Sequence, residues 1–369
     1  MSRILFVDDE PSVLAGLRRM LRHRRGTWDT SFESDGQAAL QSLATRPAAV
    51  IVTDFRMPGM DGGSLLGEVR RQFPDTVRLV LSGHTDEKDL LGVTDLAHQF
   101  LTKPCSPDEL QSVVERVLAA RSGLDGLTMR PEVCALGSLP SPRRAVRAVQ
   151  AAVNVPEPDH RDVARAVAGD VALSAKVLQL VNSSFLAPRA RVTSLEDAVT
   201  RVGIGTIRTL ADRAAADDRT AAARVEGFLE RANAHAVATA RLARRLADPA
   251  VADDAYCAGL LHPVGAAAIR SCQAEAGIDS EGDDMAEHRA LGASLLALWG
   301  LPSAVTGAIA DLDDDDPPTA NHCASLAAGD LDVATAVRVA HTLAPALPVN
   351  TTSAARASAA PRSSAPSPG

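Results

Sequence analysis

Two hydrophobic periodicities divide the chain. From Arg3 to about Arg121, short apolar or β-branched runs (ILFV, AVIV, VRLVL, QFLT) alternate with segments such as PSVLAGLRRMLRHR and DELQSVVERVLAA, where apolar residues recur every three or four positions. The runs read as strands and the segments as amphipathic helices. In the last segment Leu110, Val113, Val114, Val117 and Leu118 fall at i, i+3, i+4, i+7 and i+8, one apolar stripe to lay on a sheet. Strict alternation of strand and helix implies βαβ units and a parallel sheet covered on both faces. After the Gly- and Pro-punctuated stretch SGLDGLTMRPEVCALGSLPSP the strand-like runs cease, and helical patterns follow one another to about Ala344. The second domain is therefore expected to be all-α. From Pro348 to Gly369 the chain is almost entirely Ala, Ser, Pro, Thr and Arg, with too few apolar side chains to offset the entropy of ordering. The expected division is an α/β domain over 1–121, a linker over 122–131, an all-α domain over 132–345 and a disordered tail over 346–369.

Composition narrows the class. With 369 residues and 46% hydrophobic content the chain can build two cores. A net charge of −8 argues against generic attraction to nucleic acid or anionic membrane. Five cysteines (Cys105, Cys134, Cys257, Cys272 and Cys323) form an odd set without a CxxC pair, so reduced thiols are expected rather than a disulfide framework or a thiolate zinc site. The start MSRILFVDDE turns acidic within eight residues and has no apolar signal region, and no apolar run nears the roughly 20 residues a membrane helix needs. The expectation is a cytoplasmic protein without membrane insertion.

Chemistry in the first domain gathers where strands end. Asp8, Asp9 and Glu10 follow ILFV, Asp54 follows AVIVT, Ser82 closes VRLVLS and Lys103 follows QFLT. In a doubly wound sheet ligands bind at the carboxyl ends of the strands, so these residues converge on one crevice. Acids, a hydroxyl and a lysine suit a hard cation and a phosphoryl group. Asp54 is the candidate nucleophile: a carboxylate can attack phosphorus to give an aspartyl phosphate, with Mg²⁺ on Asp8 or Asp9 and the Lys103 ammonium neutralising the oxygens. Helix capping is the plainer explanation for Glu10, which precedes Pro11, but it does not account for a lysine at the same edge.

FVDDE, VTDFRMPGMDG, LSGHTD and FLTKP, in this order and spacing, resemble the receiver domain of two-component response regulators over about the first 120 residues. The resemblance implies a flavodoxin-like sheet of order 2-1-3-4-5 and phosphotransfer from a sensor histidine kinase to Asp54. It also implies Mg²⁺ held through Asp9, Asp54 and the backbone carbonyl of Arg56. Ser82 would hydrogen-bond the arriving phosphoryl group and Phe100 would rotate into the vacated space, a role compatible with its being a core aromatic. Met57 and Pro58 shape the turn beyond the nucleophile.

In the helical half, DVALSAKVLQLVNSSF places Leu173, Val177, Leu180 and Val181 on one face of a helix, and Ser194 caps a later helix whose Glu196 and Asp197 suit its positive end. AVTRVGIGTIRTLADRA has the spacing of a helix-turn-helix, but Arg201, Arg208 and Arg213 are matched by Glu196, Asp197, Asp212, Asp217 and Asp218, a poor footprint for DNA. LGSLPSP, DVALSAKVLQLVNSSF, SLEDAVTRVG, AGLLHPVG and EHRALGASLLALWGLP in turn resemble segments of the HDOD domain, a helical signalling domain related to HD-type metal-dependent phosphohydrolases. That likeness runs from about Pro131 to Leu312, with a looser helical extension to Ala344.

An HD hydrolase, by that resemblance, holds metal with histidines and a His-Asp pair. Here His262 is followed by Pro263, which offers no carboxylate. His235, His262 and His288 are the remaining candidate ligands, and three imidazoles can hold zinc. Further along, Asp311 and Leu312 stand where hydrolases of this kind offer more histidines. Without second-shell partners visible in sequence, hydrogen-bonded histidines in a helical interface are expected instead, and no metal in the HDOD domain. The resulting expectation is a response regulator whose non-catalytic HDOD domain binds a downstream signalling protein. The alternative is a metal-dependent phosphodiesterase acting on a cyclic dinucleotide or related phosphoester.

Overall fold

The computed structural model describes residues 1–22, 27–83, 94–126, 130–183, 191–216, 220–278, 285–312 and 331–344. The expected disordered tail, Asp217, Asp218 and Cys323 lie outside these residues. Strands β1 (Ser2–Val7), β2 (Trp28–Glu33), β3 (Val50–Thr53), β4 (Val77–Ser82) and β5 (Gln99–Thr102) form one parallel sheet of order β2-β1-β3-β4-β5. It is the flavodoxin-like order implied by the motifs. Helices α1 (Pro11–Met20), α2 (Gly36–Thr45), α3 (Gly62–Gln72) and α4 (Pro107–Ser122) flank it. Their starts are written locally. Asp35 accepts from Ala38 N at 2.8 Å, Asp61 from Ser64 N at 2.7 Å and Ser106 from Glu109 N at 3.1 Å, each such cap contributing about 1 kcal/mol. The stripe foreseen on α4 is real: Leu110, Val113, Val114 and Val117 are buried.

The second half is helical: α5 (Arg130–Ala135), α6 (Arg143–Val153), α7 (His160–Val167), α8 (Val171–Val181), α9 (Leu195–Val202), α10 (Ile204–Ala216), α11 (Thr220–Leu246), α12 (Ala252–Leu261), α13 (Val264–Ala276), α14 (Met285–Leu298), α15 (Ser303–Ala310) and α16 (Val333–Leu343). The long α11 packs against α12, α13 and α16. Helices α9 and α10 meet at Gly203, whose φ of 86° suits a residue without a side chain. The helix-turn-helix-like segment falls on α9 and α10; helix α10 packs on α6, and Arg208 donates to the Val153 carbonyl at 2.6 Å. Cys105, Cys134, Cys257 and Cys272 are unbridged.

Helix α8 departs from the expected single apolar face, because every residue from Val171 to Val181 is buried, Lys176 and Gln179 included. It meets the segment of residues 94–98 that leads into β5. Lys176 Nζ donates to the Thr94 carbonyl at 2.8 Å and to Gly137 O, and lies 3.3 Å from Asp95. Gln179 Nε2 donates to the carbonyls of His98 at 2.9 Å and Ala97 at 3.3 Å. His98 accepts from Arg78 N at Nδ1, so its Nε2 carries the proton that reaches Cys134 O, each at 3.0 Å. Burial, then the nearby Arg78 charge, holds His98 well below the usual histidine pKa, consistent with this neutral tautomer. Side chains from the helical half thus satisfy backbone carbonyls in the stretch that leads into β5.

Candidate functional site

Register alone brings the acids together. Val7 pairs with Thr53 across β1 and β3, so Asp8 and Asp54 leave adjacent strands side by side, and Asp54 N donates to Val7 O at 2.8 Å. On the other flank Ser82 pairs with Thr102, and Lys103 N donates to Ser82 O at 2.8 Å. Lys103 reaches across the crevice. Its Nζ lies 2.6 Å from Asp8 Oδ2 and 2.8 Å from Asp54 Oδ1, although Asp8 is only 2% exposed and Asp54 9%. Burial pulls the ammonium's pKa down, but hydrogen bonds and charge from Asp54 and Asp8 outweigh it and leave the pKa above the ordinary lysine value.

Asp9 is half-buried beside them, Arg56 is an exposed side chain in the turn after β3, and Ser82 is buried at the strand end. Phe100, 2% exposed, sits on β5 opposite Val80. Gly62 was not singled out from the sequence. A Cβ there would lie 2.2 Å from the Asp54 carbonyl, so only glycine lets the start of α3 pass so close to the acid. Its signal was its place directly after the capping Asp61.

A second cluster lies in the helical half. His235 on α11, His262 at the end of α12 and His341 on α16 have ligand atoms within 4.8 Å of one another, and all three are half-buried. This corrects the expected histidine set. His288 on α14 is buried, but its helix packs on α13, where its carbonyl faces Gly265, and it does not join the cluster. Pro263 sits at the junction where α12 ends and α13 begins, which is where a residue without an amide proton costs least. The His262 pKa is lowered to about 3, first by burial, then by the neighbouring His341, against the opposing pull of the Gly259 carbonyl. Asp311 is exposed at the end of α15 and Leu312 is buried.

Two family models match the chain: the response regulator receiver domain over residues 4–115 and the HDOD domain over residues 139–279. The chain joins a receiver domain to an HDOD domain. Its receiver domain is similar to the start of curated regulators. It is 38% identical over 125 residues to the hydrogenase transcriptional regulatory protein HoxA of Cupriavidus necator, a match covering 33% of this chain and 25% of HoxA. It is 35% identical over 124 residues to the transcriptional regulatory protein TrcR of Mycobacterium tuberculosis, covering 33% of this chain and 48% of TrcR. Among solved structures, the signal receiver domain of an HD domain-containing protein from Pseudomonas fluorescens Pf-5 matches with 28% identity and a TM-score of 0.32, covering 33% of this chain and 97% of that one. The chain thus spans between about a quarter and about half of the length of these two curated relatives, within the receiver domain. No helix among the described residues is long and apolar enough to cross a membrane.

Proposed function

We propose that the chain is a phosphorelay response regulator in which Asp54 accepts a phosphoryl group from a sensor histidine kinase and thereby switches a non-catalytic HDOD output that binds a downstream signalling protein. The observation that carries this reading is the position of Lys103. One ammonium bridges Asp8 and Asp54 at 2.6 and 2.8 Å, and it directly follows β5, whose first residue, Gln99, is bonded to the HDOD domain. Asp54 would attack phosphorus as the bond to the donor histidine breaks, giving an acyl phosphate. Lys103 would then exchange its contact with Asp54 oxygen for a phosphoryl oxygen, and the Ser82 hydroxyl would donate to another. Phe100, one residue after Gln99, is placed to follow that inward movement.

Asp8 and Asp54 share one bridging ammonium and the half-buried Asp9 follows Asp8 in the chain, an oxygen donor set with surplus negative charge that fits a hard divalent cation. With the Arg56 carbonyl they would hold Mg²⁺, which supplies charge neutralisation for the phosphoryl oxygens. The assignment of 1–121 to reception and 132–345 to output belongs to the same reading. So does the absence of phosphodiesterase activity, since Pro263 removes the carboxylate that would bridge a dinuclear site.

The test is incubation of the full chain with acetyl phosphate and Mg²⁺, followed by mass mapping. A single label on Asp54, absent from Asp54→Asn, is expected, together with no turnover of cyclic dinucleotides. Label that persists in Asp54→Asn with no other acid taking over would overturn the acceptor assignment. Turnover that His235→Ala abolishes would replace the non-catalytic output with the phosphodiesterase.

A further inference from the structure

The histidines at the centre of the helical half come from three separate helices, and their arrangement is specific. Each pair of rings meets edge to face, with centroids 5.1 Å apart for His235 and His262, 4.8 Å for His235 and His341, and 4.8 Å for His262 and His341, at interplanar angles of 78°, 79° and 75°. The three rings bring one nitrogen of each within 4.8 Å of the other two. His262 Nδ1 lies 2.8 Å from the Gly259 carbonyl. A carbonyl only accepts, so Nδ1 carries the proton and Nε2 presents its lone pair. This is the ring orientation and tautomer that backbone carbonyls impose on metal-bound histidines.

We propose that His235, His262 and His341 bind one transition ion of the zinc class and that this ion fastens α16 to α11 and α12. Three nitrogens at ordinary zinc distances in a tetrahedral shell stand about 3.4 Å apart, and the ligand atoms here already lie within 4.8 Å, so modest side-chain rotations close the site. The all-imidazole set selects against Mg²⁺ and Ca²⁺, which need oxygen. The fourth position goes to water or an incoming ligand. The expectation of a metal-free domain rested on Pro263 offering no acid, on Asp311 and Leu312 standing where further histidines would be and on no second-shell partner being visible, with His288 as the third imidazole; His341, from a helix beyond the recognised motifs, takes that third place.

The placement also says what the ion does. At its start α16 is held to the end of α11: Leu331 pairs with Ala247, and Asp248 N donates to Leu331 O at 3.0 Å. From Val333 to His341 is about 12 Å of helix and from Leu246 back to His235 about 16 Å, so the two helices run antiparallel between two anchors. The metal is the second anchor, and its ligands are all neutral.

Untagged full-length protein, stripped with chelator and titrated with Zn²⁺, is expected to bind one equivalent and to melt at a higher temperature. Co²⁺ in its place is expected to give the intense visible bands of a tetrahedral site. His341→Ala and His235→Ala should weaken binding by about a hundredfold or more and lose the thermal shift, while His288→Ala keeps both. Absence of stoichiometric binding, or binding equally strong in His341→Ala, overturns the proposal. X-ray absorption on the unaltered zinc-loaded protein does not depend on any variant folding: a shell of nitrogen and oxygen with imidazole scattering is expected, and sulfur in the shell would assign the ion to cysteine and sink the site. None of these outcomes bears on Asp54.

Discussion

Gln99 Nε2 donates to the backbone carbonyl of Leu298 at 2.9 Å, joining the first residue of β5 to the last residue of α14 across 199 positions of sequence. Both groups are buried, so the bond has no water to replace it. Gln99→Leu fills similar volume but cannot donate, and leaves the Leu298 carbonyl unsatisfied, at a cost of about 1–3 kcal/mol. The two tryptophans allow the consequence to be read separately in each half, since Trp28 is buried in the receiver domain and Trp299 in the helical half. In single-tryptophan versions, urea unfolding is expected to be coincident for the parent and shifted to lower urea for Gln99→Leu. An unshifted midpoint would show that the bond adds nothing to the joint.

Helices α13 and α14 cross at two glycines. A Cβ on Gly265 would lie 1.8 Å from the His288 carbonyl oxygen and 2.7 Å from Gly292 N. Backbone cannot yield as a side chain can, so Gly265→Ala is expected to cost about 3 kcal/mol or more. Gly307, within α15, has nothing within 4 Å of such an atom, and Gly307→Ala should stabilise by about 0.5–1 kcal/mol through helix propensity alone. Thermal melts of the two variants should move in opposite directions. A Gly265→Ala protein as stable as the parent would mean the helices do not approach this closely.

Asp170 caps α8, accepting from Ala172 N at 3.0 Å and Leu173 N at 3.2 Å. Burial pushes its pKa up to about 6, and its hydrogen bonds only partly offset that. The unfolded chain ionises near the ordinary value of 3.8 while the folded one still holds its proton, so the contribution to stability is full below that value and is lost as pH rises to about 6. The difference amounts to roughly 3 kcal/mol. Asp170→Asn keeps an acceptor for the cap and no charge. The stability gained by the variant over the parent should therefore grow between pH 4 and pH 6 and then level off. A difference independent of pH would refute the assignment.

The acidic crevice was legible in the sequence because two local rules locate it. Strand runs such as ILFV and VRLVL end at identifiable residues, and parallel sheets bring their carboxyl ends to one edge, so Asp8, Asp54, Ser82 and Lys103 could be grouped without coordinates. The helix start read at Ser194 was similarly local, because a cap bonds within three residues of itself, and its hydroxyl accepts from Asp197 N at 3.3 Å.

Contacts between elements were not legible, because periodicity reports which side of a helix is apolar about its own axis and is silent on what faces it. Lys176 and Gln179 read as the solvent side of α8. They are buried where they donate to the carbonyls of Thr94, Ala97 and His98 ahead of β5, and a polar residue that satisfies a partner domain looks the same in sequence as one that meets water. The same blindness exchanged His288 for His341. Both are single histidines on helices, His288 within the recognised motifs and His341 beyond them, and only the way α16 lies along α11 and α12 brings the latter within reach of His235 and His262. The chain alone therefore determined the two folds and the grouping of Asp8, Asp54, Ser82 and Lys103 at one sheet edge, which depend on short-range spacing. How the domains join and which three imidazoles meet depend on crossing geometry, which is settled only when the elements pack.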